Sequence, residues 1–292
     1  MKKRMRLTIR TRNVLEAYSF LSLWLIGFAL FMAIPLGRSL YYSFNQLKVT
    51  KEGLVPNWIG MANFRRAFST DVNFIPLLQD SILGLLIQVP LILIFAMFAA
   101  LLLNRPMIGR TFFRGVFFLP VIIASGAVLV EMLEQGAERM PLFTSSSLFL
   151  ALVDIIPRDV LEPLLTLADK LTLVMWDSGV QILIFLAGLQ TVSLSLYEAA
   201  DIDGATKWES FWKITFPMIT PMILVNTLFT IVNSFTSARN EMMLYIRDVV
   251  FSKNDYGYGS TIGWIYFILI FLLIGLVFLI FRKSLSSTEG RR

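Results

Sequence analysis

The densest run of side chains suited to a task lies between Tyr197 and Pro217, reading Tyr197-Glu198-Ala199-Ala200-Asp201-Ile202-Asp203-Gly204-Ala205-Thr206-Lys207-Trp208-Glu209-Ser210-Phe211-Trp212-Lys213-Ile214-Thr215-Phe216-Pro217. Tyr197, Ala200, Gly204, Trp208 and Phe211 recur at helical spacing, which predicts one apolar face. Asp203–Lys207 and Glu209–Lys213 stand acid before base at i,i+4, each adding about 0.3–0.5 kcal/mol to an exposed helix. Gly204 would cost a helix interior about 1 kcal/mol relative to Ala. It reads better as a bend between two short helices, or as a point of close backbone approach. Ala199, Ala200 and Ala205 keep the near side thin, and Pro217 and Pro221 suit the first turn of a following helix. The chemistry on offer is mechanical: a short, small-residue helix with a polar rim fits a groove on a cytosolic partner. The same residues also suit an amphipathic connector lying on lipid headgroups, with Trp208 and Trp212 as anchors. On the residues alone both readings stand.

A second set of candidates sits inside apolar runs, where a polar side chain must face protein or a water-filled cavity. Asn226, Thr230, Asn233 and Ser237 form a polar stripe at i, i+4, i+7 and i+11. Asp177 and Gln181 lie one turn apart, with Trp176 adjacent and Phe185 a turn further in. Amide, hydroxyl and carboxylate groups beside aromatic faces are what a sugar needs. The competing reading is that Asn and Thr bond neighbouring helices as packing contacts, and Gln88 fits either. Asp177 also reads as a residue at the water boundary of its run.

Covalent and metal chemistry are poorly supplied. The chain has no Cys and no His, which excludes Cys or His nucleophiles, His general bases, disulfides and the usual zinc sites. No metal site and no bound cofactor are expected. Asp177 is the one carboxylate near a span interior and has no second acid beside it, so a membrane enzyme is a weak reading. No G-x-x-x-x-G-K-[ST] occurs, so the chain has no P-loop nucleotide site of its own.

What must position these residues is a membrane. Of 292 residues, 56% are hydrophobic and 16% charged, against about 45–50% and about 25% in an average globular domain. Six apolar runs are each near the length of about 20 residues that spans a bilayer: Tyr18–Ile34, Ser81–Leu103, Gly115–Leu133, Leu171–Leu196, Met218–Ser237 and Ile262–Phe281. The expected fold is all-α, a polytopic helical membrane protein with six spans in a single domain over residues 1–292. The first run follows Lys2, Lys3, Arg4, Arg6, Arg10 and Arg12, but it exceeds a signal-peptide core and lacks an A-x-A site, so it is read as a retained span.

Basic residues set the orientation. The N-tail, the loop with Arg105, Arg110 and Arg114, the loop with Lys207 and Lys213, and the C-tail with Arg282, Lys283, Arg291 and Arg292 are placed in the cytoplasm. Both termini are then cytoplasmic. The net charge of +6 reflects this topology and anionic lipid, with no need for nucleic acid. The outer loops are Pro35–Asp80, Glu134–Lys170 and Ala238–Thr261, and short surface helices are expected within Met140–Lys170.

The loop carries a resemblance. Glu198-Ala199-Ala200, then Gly204, Ile214 and Pro217 at the motif's spacing, with Phe216 where Leu is usual, resemble the EAA loop of permease subunits of binding-protein-dependent ABC importers. The resemblance extends to Pro35 with Tyr42-Ser43-Phe44, Trp58-Ile59-Gly60-Met61-Ala62-Asn63-Phe64, Leu102-Leu103-Asn104-Arg105, Phe112-Phe113-Arg114 to Pro120, and Leu186-Ala187-Gly188-Leu189-Gln190, as in the carbohydrate branch. Two regions depart from it: Glu134–Lys170 lacks the Gly-Leu-Leu-Asn type of segment, and Asn254-Asp255-Tyr256-Gly257-Tyr258-Gly259 stands in place of a Gly-Gly-Pro after span five.

The resemblance implies a type I ABC importer permease in the bacterial cell membrane. Its partners would be a second permease subunit, a cytosolic ATPase dimer and an extracytoplasmic solute-binding protein, and its cargo a mono- or oligosaccharide moved by alternating access. It assigns ATPase coupling to Glu198, Ala199, Ala200, Asp203, Gly204, Ile214 and Pro217. Asp177, Gln181, Asn226, Thr230 and Asn233 are the substrate-pathway candidates. The alternatives are the same machinery for a glycerol-phosphate ester or a peptide, or a stand-alone secondary transporter. The first asks for a cation deep in a span, which the sequence lacks, and the last for repeats or a charged relay.

Overall fold

The structure, a computed structural model, describes residues 9–51, 53–106, 108–123, 171 and 174–289. Its elements are nearly all helices. Among the described residues four are long and apolar enough to cross a membrane: Tyr18–Ser43, Phe74–Asn104, Lys207–Thr236 and Tyr256–Arg282. A fifth is reached if Gly179–Gln190 and Leu194–Ile202, bent by 65° across a short break, count as one span. The expected third span is described only as helix α5 (Arg110–Ile123). Its remaining residues to Leu133, and the surface helices expected within Met140–Lys170, lie outside the described residues.

Backbone packing divides the chain into two compact units. The first comprises Met1–Ile75 and Tyr245–Phe267. It opens with α1 (Ile9–Phe28), a π-turn at Ala29–Ala33 and α2 (Ile34–Ser43). None of the span's apolar window is buried against this chain. A helix apolar on all sides is stable only against lipid or another subunit.

An antiparallel hairpin, β1 (Asn45–Thr50) and β2 (Gly53–Trp58), follows, with Asn45 opposite Trp58 and Thr50 opposite Gly53. The segment falls in the expected outer loop Pro35–Asp80 and is a hairpin instead; with only Asn45 and Leu47 of the twelve strand residues buried, no apolar alternation in the sequence announces a sheet. Helix α3 (Ala62–Ser69) buries Asn63 and Ala67, one turn apart. Asn63 Nδ2 donates to the Ser43 and Asn45 carbonyls, each at 3.1 Å, and Thr261 Oγ1 donates to Ser43 O at 2.9 Å. These bonds tie the hairpin to the start of the last long helix.

The unit's other fastening is Asp71. Its Oδ1 accepts from the Asn73 and Phe74 N–H groups at 2.9 and 3.2 Å, while Oδ2 accepts the Tyr245 hydroxyl at 2.5 Å and the Tyr258 hydroxyl. Arg66 lies over the Tyr258 ring at 4.0 Å and bonds Asp255 at 2.6 Å. Burial works to raise the Asp71 carboxyl, but these donors outweigh it and hold it below its ordinary 3.8. Burial, then the Asp71 bond, pushes the Tyr245 hydroxyl up. Because the folded carboxyl is the more acidic, its stabilisation is complete above about 3.8 and is lost as pH falls through the folded value. The gap in unfolding temperature between wild type and Asp71→Asn is therefore expected to be constant down to mildly acidic pH and to shrink below it. A gap that widened on acidification would contradict the assignment.

The second unit comprises Pro76–Leu244 and Ile268–Arg292. Within it, α4 (Phe74–Asn104) presents Ala96, Ala99, Ala100 and Leu103 to Ile182, Phe185, Leu186 and Leu189 of α6 (Gly179–Gln190) and to Ile219. These side chains share one apolar core. The close backbone approach is that between α6 and α9 (Phe216–Thr236). A Cβ on Gly188 would lie 2.5 Å from Met222 Cγ. Gly188→Val is expected to lower stability by about 2 kcal/mol through overpacking, measured by thermal unfolding in detergent. Met222→Ala in that background should recover most of it, and no recovery would place the cost elsewhere.

Candidate coupling loop and intramembrane polar network

The loop is built as two short helices. α6 ends at Gln190, and Ser193, in extended backbone geometry, opens α7 (Leu194–Ile202). The expected span to Leu196 is thus interrupted, because the Thr191–Ser193 turn breaks the helical hydrogen-bond ladder and starts the loop helix three residues early. At its other end the Ala205 N–H bonds Ala200 O at 2.9 Å and the Gly204 N–H bonds Asp201 O at 3.2 Å. With Gly204 at φ +76°, this is a Schellman cap, which favours glycine at that one position.

α8 (Lys207–Ser210) starts on a capping box: the Glu209 N–H donates to Thr206 Oγ1 and the Thr206 N–H donates to Glu209 Oε2. A π-turn, Phe211–Thr215, leads into α9, which has Pro217 in its first turn.

These caps correct two expectations. The bend at Gly204 interrupts the single apolar face expected from Tyr197 to Phe211. The Asp203–Lys207 pair does not form, because its helical spacing is lost across the bend. Lys207 Nζ instead donates to both Asp201 oxygens at 2.8 Å, and the Glu209–Lys213 pair is present at 3.8 Å. Glu198, Ala199, Asp203, Gly204 and Pro217 are exposed, while Ala200 and Ile214 are half-buried. Ile202, which the motif comparison passed over, is 86% exposed at the tip of α7. Tyr197 and Ile214 pack on the α4–α6 core, and the Tyr197 and Thr215 hydroxyls share a hydrogen bond of 2.7 Å. The exposed motif residues thus stand on a base fixed to the spans.

The polar network lies in the same unit. Gln181 Nε2 donates to Thr230 Oγ1 at 2.9 Å, Thr230 Oγ1 donates to Asn226 O at 2.7 Å, and Asn226 Nδ2 donates to Gln181 O at 3.3 Å. All three residues are buried between α6 and α9. Gln181 Oε1, Asn226 Oδ1 and Trp176 Nε1 are buried without a hydrogen-bond partner. Asn233 is not part of this cluster; it is exposed. Ser237 leaves it too and accepts the Arg239 N–H at 3.3 Å. The stripe divides because its two ends face different surroundings.

Asp177 has a partner that spacing did not reveal. Arg239 bonds its Oδ1, Gln88 Nε2 donates to Oδ2 at 3.3 Å, and Ser234 Oγ donates to Gln88 Oε1 at 3.2 Å. The Arg239 and Asp177 side chains keep 27% and 13% of their surface. One signal pointed this way: a carboxylate near a span interior with no cation in its own run needs one from elsewhere. Among the described residues no group of His, Cys, Asp and Glu is arranged to hold a metal.

Residues 140–288, half of the chain, match the family described as the binding-protein-dependent transport system inner membrane component. The chain is similar to the probable ABC transporter permease protein YesP of Bacillus subtilis, with 32% identity over 96% of this chain and 93% of that one. It is also similar to the lactose transport system permease protein LacF of Rhizobium radiobacter, with 27% identity over 94% and 98%. Its fold matches the crystal structure of a bacterial ABC transporter involved in the import of the acidic polysaccharide alginate, with TM-score 0.63, 20% identity, and 93% and 96% of the two chains covered. With several membrane-length helices, two compact bundles and this match over half its length, the chain belongs to the family of inner membrane components of binding-protein-dependent transport systems.

Proposed function

We propose that the chain is a permease subunit of an ATP-driven importer and translocates a mono- or oligosaccharide by alternating access. The observation that carries the reading is the loop at 194–217: an exposed, glycine-capped helix bearing Glu198, Ala199, Ala200, Asp203 and Gly204, fixed to the spans through Tyr197, Ile214 and Thr215. In this reading α7 enters a cleft on a cytosolic ATPase dimer, ATP hydrolysis takes place on that separate subunit, and closure of the dimer moves the spans. A second permease completes the membrane part, a solute-binding protein delivers cargo on the outer side, and both termini are cytoplasmic.

The carbohydrate assignment is supported by similar permeases named for lactose, multiple sugars and arabinooligosaccharides. A relative named for sn-glycerol-3-phosphate is also similar, at 27% identity over 76% of the chain. Anionic cargo asks for an unneutralised cation, whereas Arg239 is paired with Asp177. Asp177, Gln181, Asn226, Thr230 and Asn233 are proposed to line the pathway, where the unpartnered side-chain oxygens Gln181 Oε1 and Asn226 Oδ1 suit hydroxyl donors once the spans separate.

The testing experiment is a detergent pull-down of the tagged chain from its native membrane with mass spectrometry of what co-purifies. A second permease and a P-loop ATPase are expected. A lone oligomer of this chain would overturn the reading. Gly204→Asp and Glu198→Lys are each expected to insert normally yet uncouple ATP hydrolysis from uptake, with transport falling at least about tenfold, the equivalent of 1.4 kcal/mol. Wild-type uptake by either variant would remove the coupling role.

A further inference from the structure

Trp208, Phe211, Trp212 and Phe216 form a ring cluster that neither the loop's caps nor its motif residues require. Trp208 and Trp212 meet edge-to-face at 5.6 Å and Phe211 and Trp212 at 5.0 Å, while Trp212 and Phe216 are tilted at 5.0 Å. Trp208, Trp212 and Phe216 follow one another at i,i+4, which puts their rings on one side of the helix, while Thr215 points inward to Tyr197. The result is a two-sided segment: Ser210 and Thr215 are buried, whereas Trp208 is 70% and Trp212 46% exposed. Exposed rings of this size need a cover.

Three observations choose it. First, the cluster's neighbouring cations, Lys207 and Lys213, are paired with Asp201 and Glu209, so the patch offers no surplus charge to a charged surface. Second, indole combines a large apolar ring with an N–H donor, the chemistry of the membrane–water boundary. Third, residues 207–236 continue as one membrane-length helix. The 21 residues of α9 rise about 31 Å at about 1.5 Å each, enough for the hydrocarbon layer. Trp212 then stands about 6 Å outside that layer, within the about 5–8 Å of headgroup region on that side, and Trp208 about 12 Å outside, on its water side.

We propose that Phe211, Trp212 and Phe216 dock on the lipid headgroup layer at the N-terminal end of span five, with Trp208 on its water side, and fix the depth of the coupling loop. The two readings of the loop then divide along its length: α7 is left for a protein partner, and the segment after the Gly204 turn rests on lipid. The patch needs zwitterionic or neutral lipid as readily as anionic lipid, because its lysines are already paired.

The test uses the full-length chain in phosphatidylcholine nanodiscs, alone and as the complex co-purified with it. Tryptophan emission is quenched with phosphatidylcholine brominated either near the headgroup or near the chain end. Six Trp are present, so the signals of interest are wild type minus Trp212→Phe and wild type minus Trp208→Phe. The Trp212 difference emission is expected to be quenched roughly twofold more by the shallow than by the deep bromines, and the Trp208 difference less than the Trp212 one, following their depths. Unchanged thermal unfolding of both variants shows that they report on place and not on folding. A Trp212 signal indifferent to either bromolipid would overturn the proposal. So would shallow quenching that disappears in the complex, since the patch would then belong to a protein partner. Either result leaves the importer reading untouched, because quenching by lipid requires no ATPase.

Discussion

Arg239→Met, just past the end of α9, is expected to be among the most damaging single substitutions in the second unit. It removes the cation from Asp177, whose carboxylate keeps only 13% of its side-chain surface and whose other oxygen is held by Gln88. Breaking a buried pair by deleting one partner costs about 3–5 kcal/mol, because an uncompensated charge stays in a dry place. Arg239 is about a quarter exposed, so the lower end, about 3 kcal/mol, is the appropriate figure. The loss reads out as a lower unfolding temperature in detergent and a smaller fraction surviving extraction. Asp177→Asn combined with Arg239→Met removes both charges and should regain most of it. If the double variant were as unstable as Arg239→Met alone, charge pairing would not be what holds this end of the spans, and the packing of the guanidinium against its neighbours would take its place as the explanation.

Gly257→Val is expected to have a comparable effect on the first unit through pure exclusion. A Cβ at this position would lie 2.1 Å from the carbonyl oxygen of Asn45 and 3.3 Å from its carbon. A flexible side chain would move aside, but this is backbone, and it is pinned: Asn63 holds the Ser43 and Asn45 carbonyls and Thr261 holds Ser43 again. The cost is about 3 kcal/mol, at the top of the usual range for overpacking. The hairpin that precedes α3 should lose its seat, so Lys48 and Lys51, both exposed, should be cleaved faster by trypsin. Gly263, on the same helix, is the control, since nothing lies within 4 Å of its Cβ position. Gly263→Ala should be neutral or gain up to about 1 kcal/mol from helix propensity. Equal trypsin sensitivity in Gly257→Val and Gly263→Ala would remove the close-approach argument.

Much of this arrangement was legible in the residues, for identifiable reasons. A membrane span is a one-dimensional signal, a long run without charge, and the run Met218–Ser237 overlaps the membrane-length helix Lys207–Thr236. The turn at Gly204 was legible because a glycine in a run of helix formers has few structural reasons to be there, and the Schellman cap is one of them. The hairpin was not legible, since its strands bury almost nothing of their own and take their place from Asn63 and Thr261, one of them more than two hundred residues away. The Asp203–Lys207 pair failed for a related reason: i,i+4 spacing means proximity only where the helix is unbroken.

The intramembrane polar residues mark the boundary between the two kinds of information. Read along the chain, Asp177, Gln181, Asn226, Thr230 and Asn233 should all face protein or a water-filled cavity, because leaving a polar group unpaired in hydrocarbon costs several kcal/mol. Which group each one meets is visible only in three dimensions: Gln181 with Thr230 and Asn226, Asp177 with Arg239 and Gln88, and Asn233, exposed, with neither set. Hydrophobicity and helix periodicity are properties of neighbouring residues and can be read along a chain. The pairing of a donor with an acceptor depends on which helices approach and at what rotation, and for α6 and α9 that approach runs through Gly188 against Met222, a contact between segments far apart in the sequence.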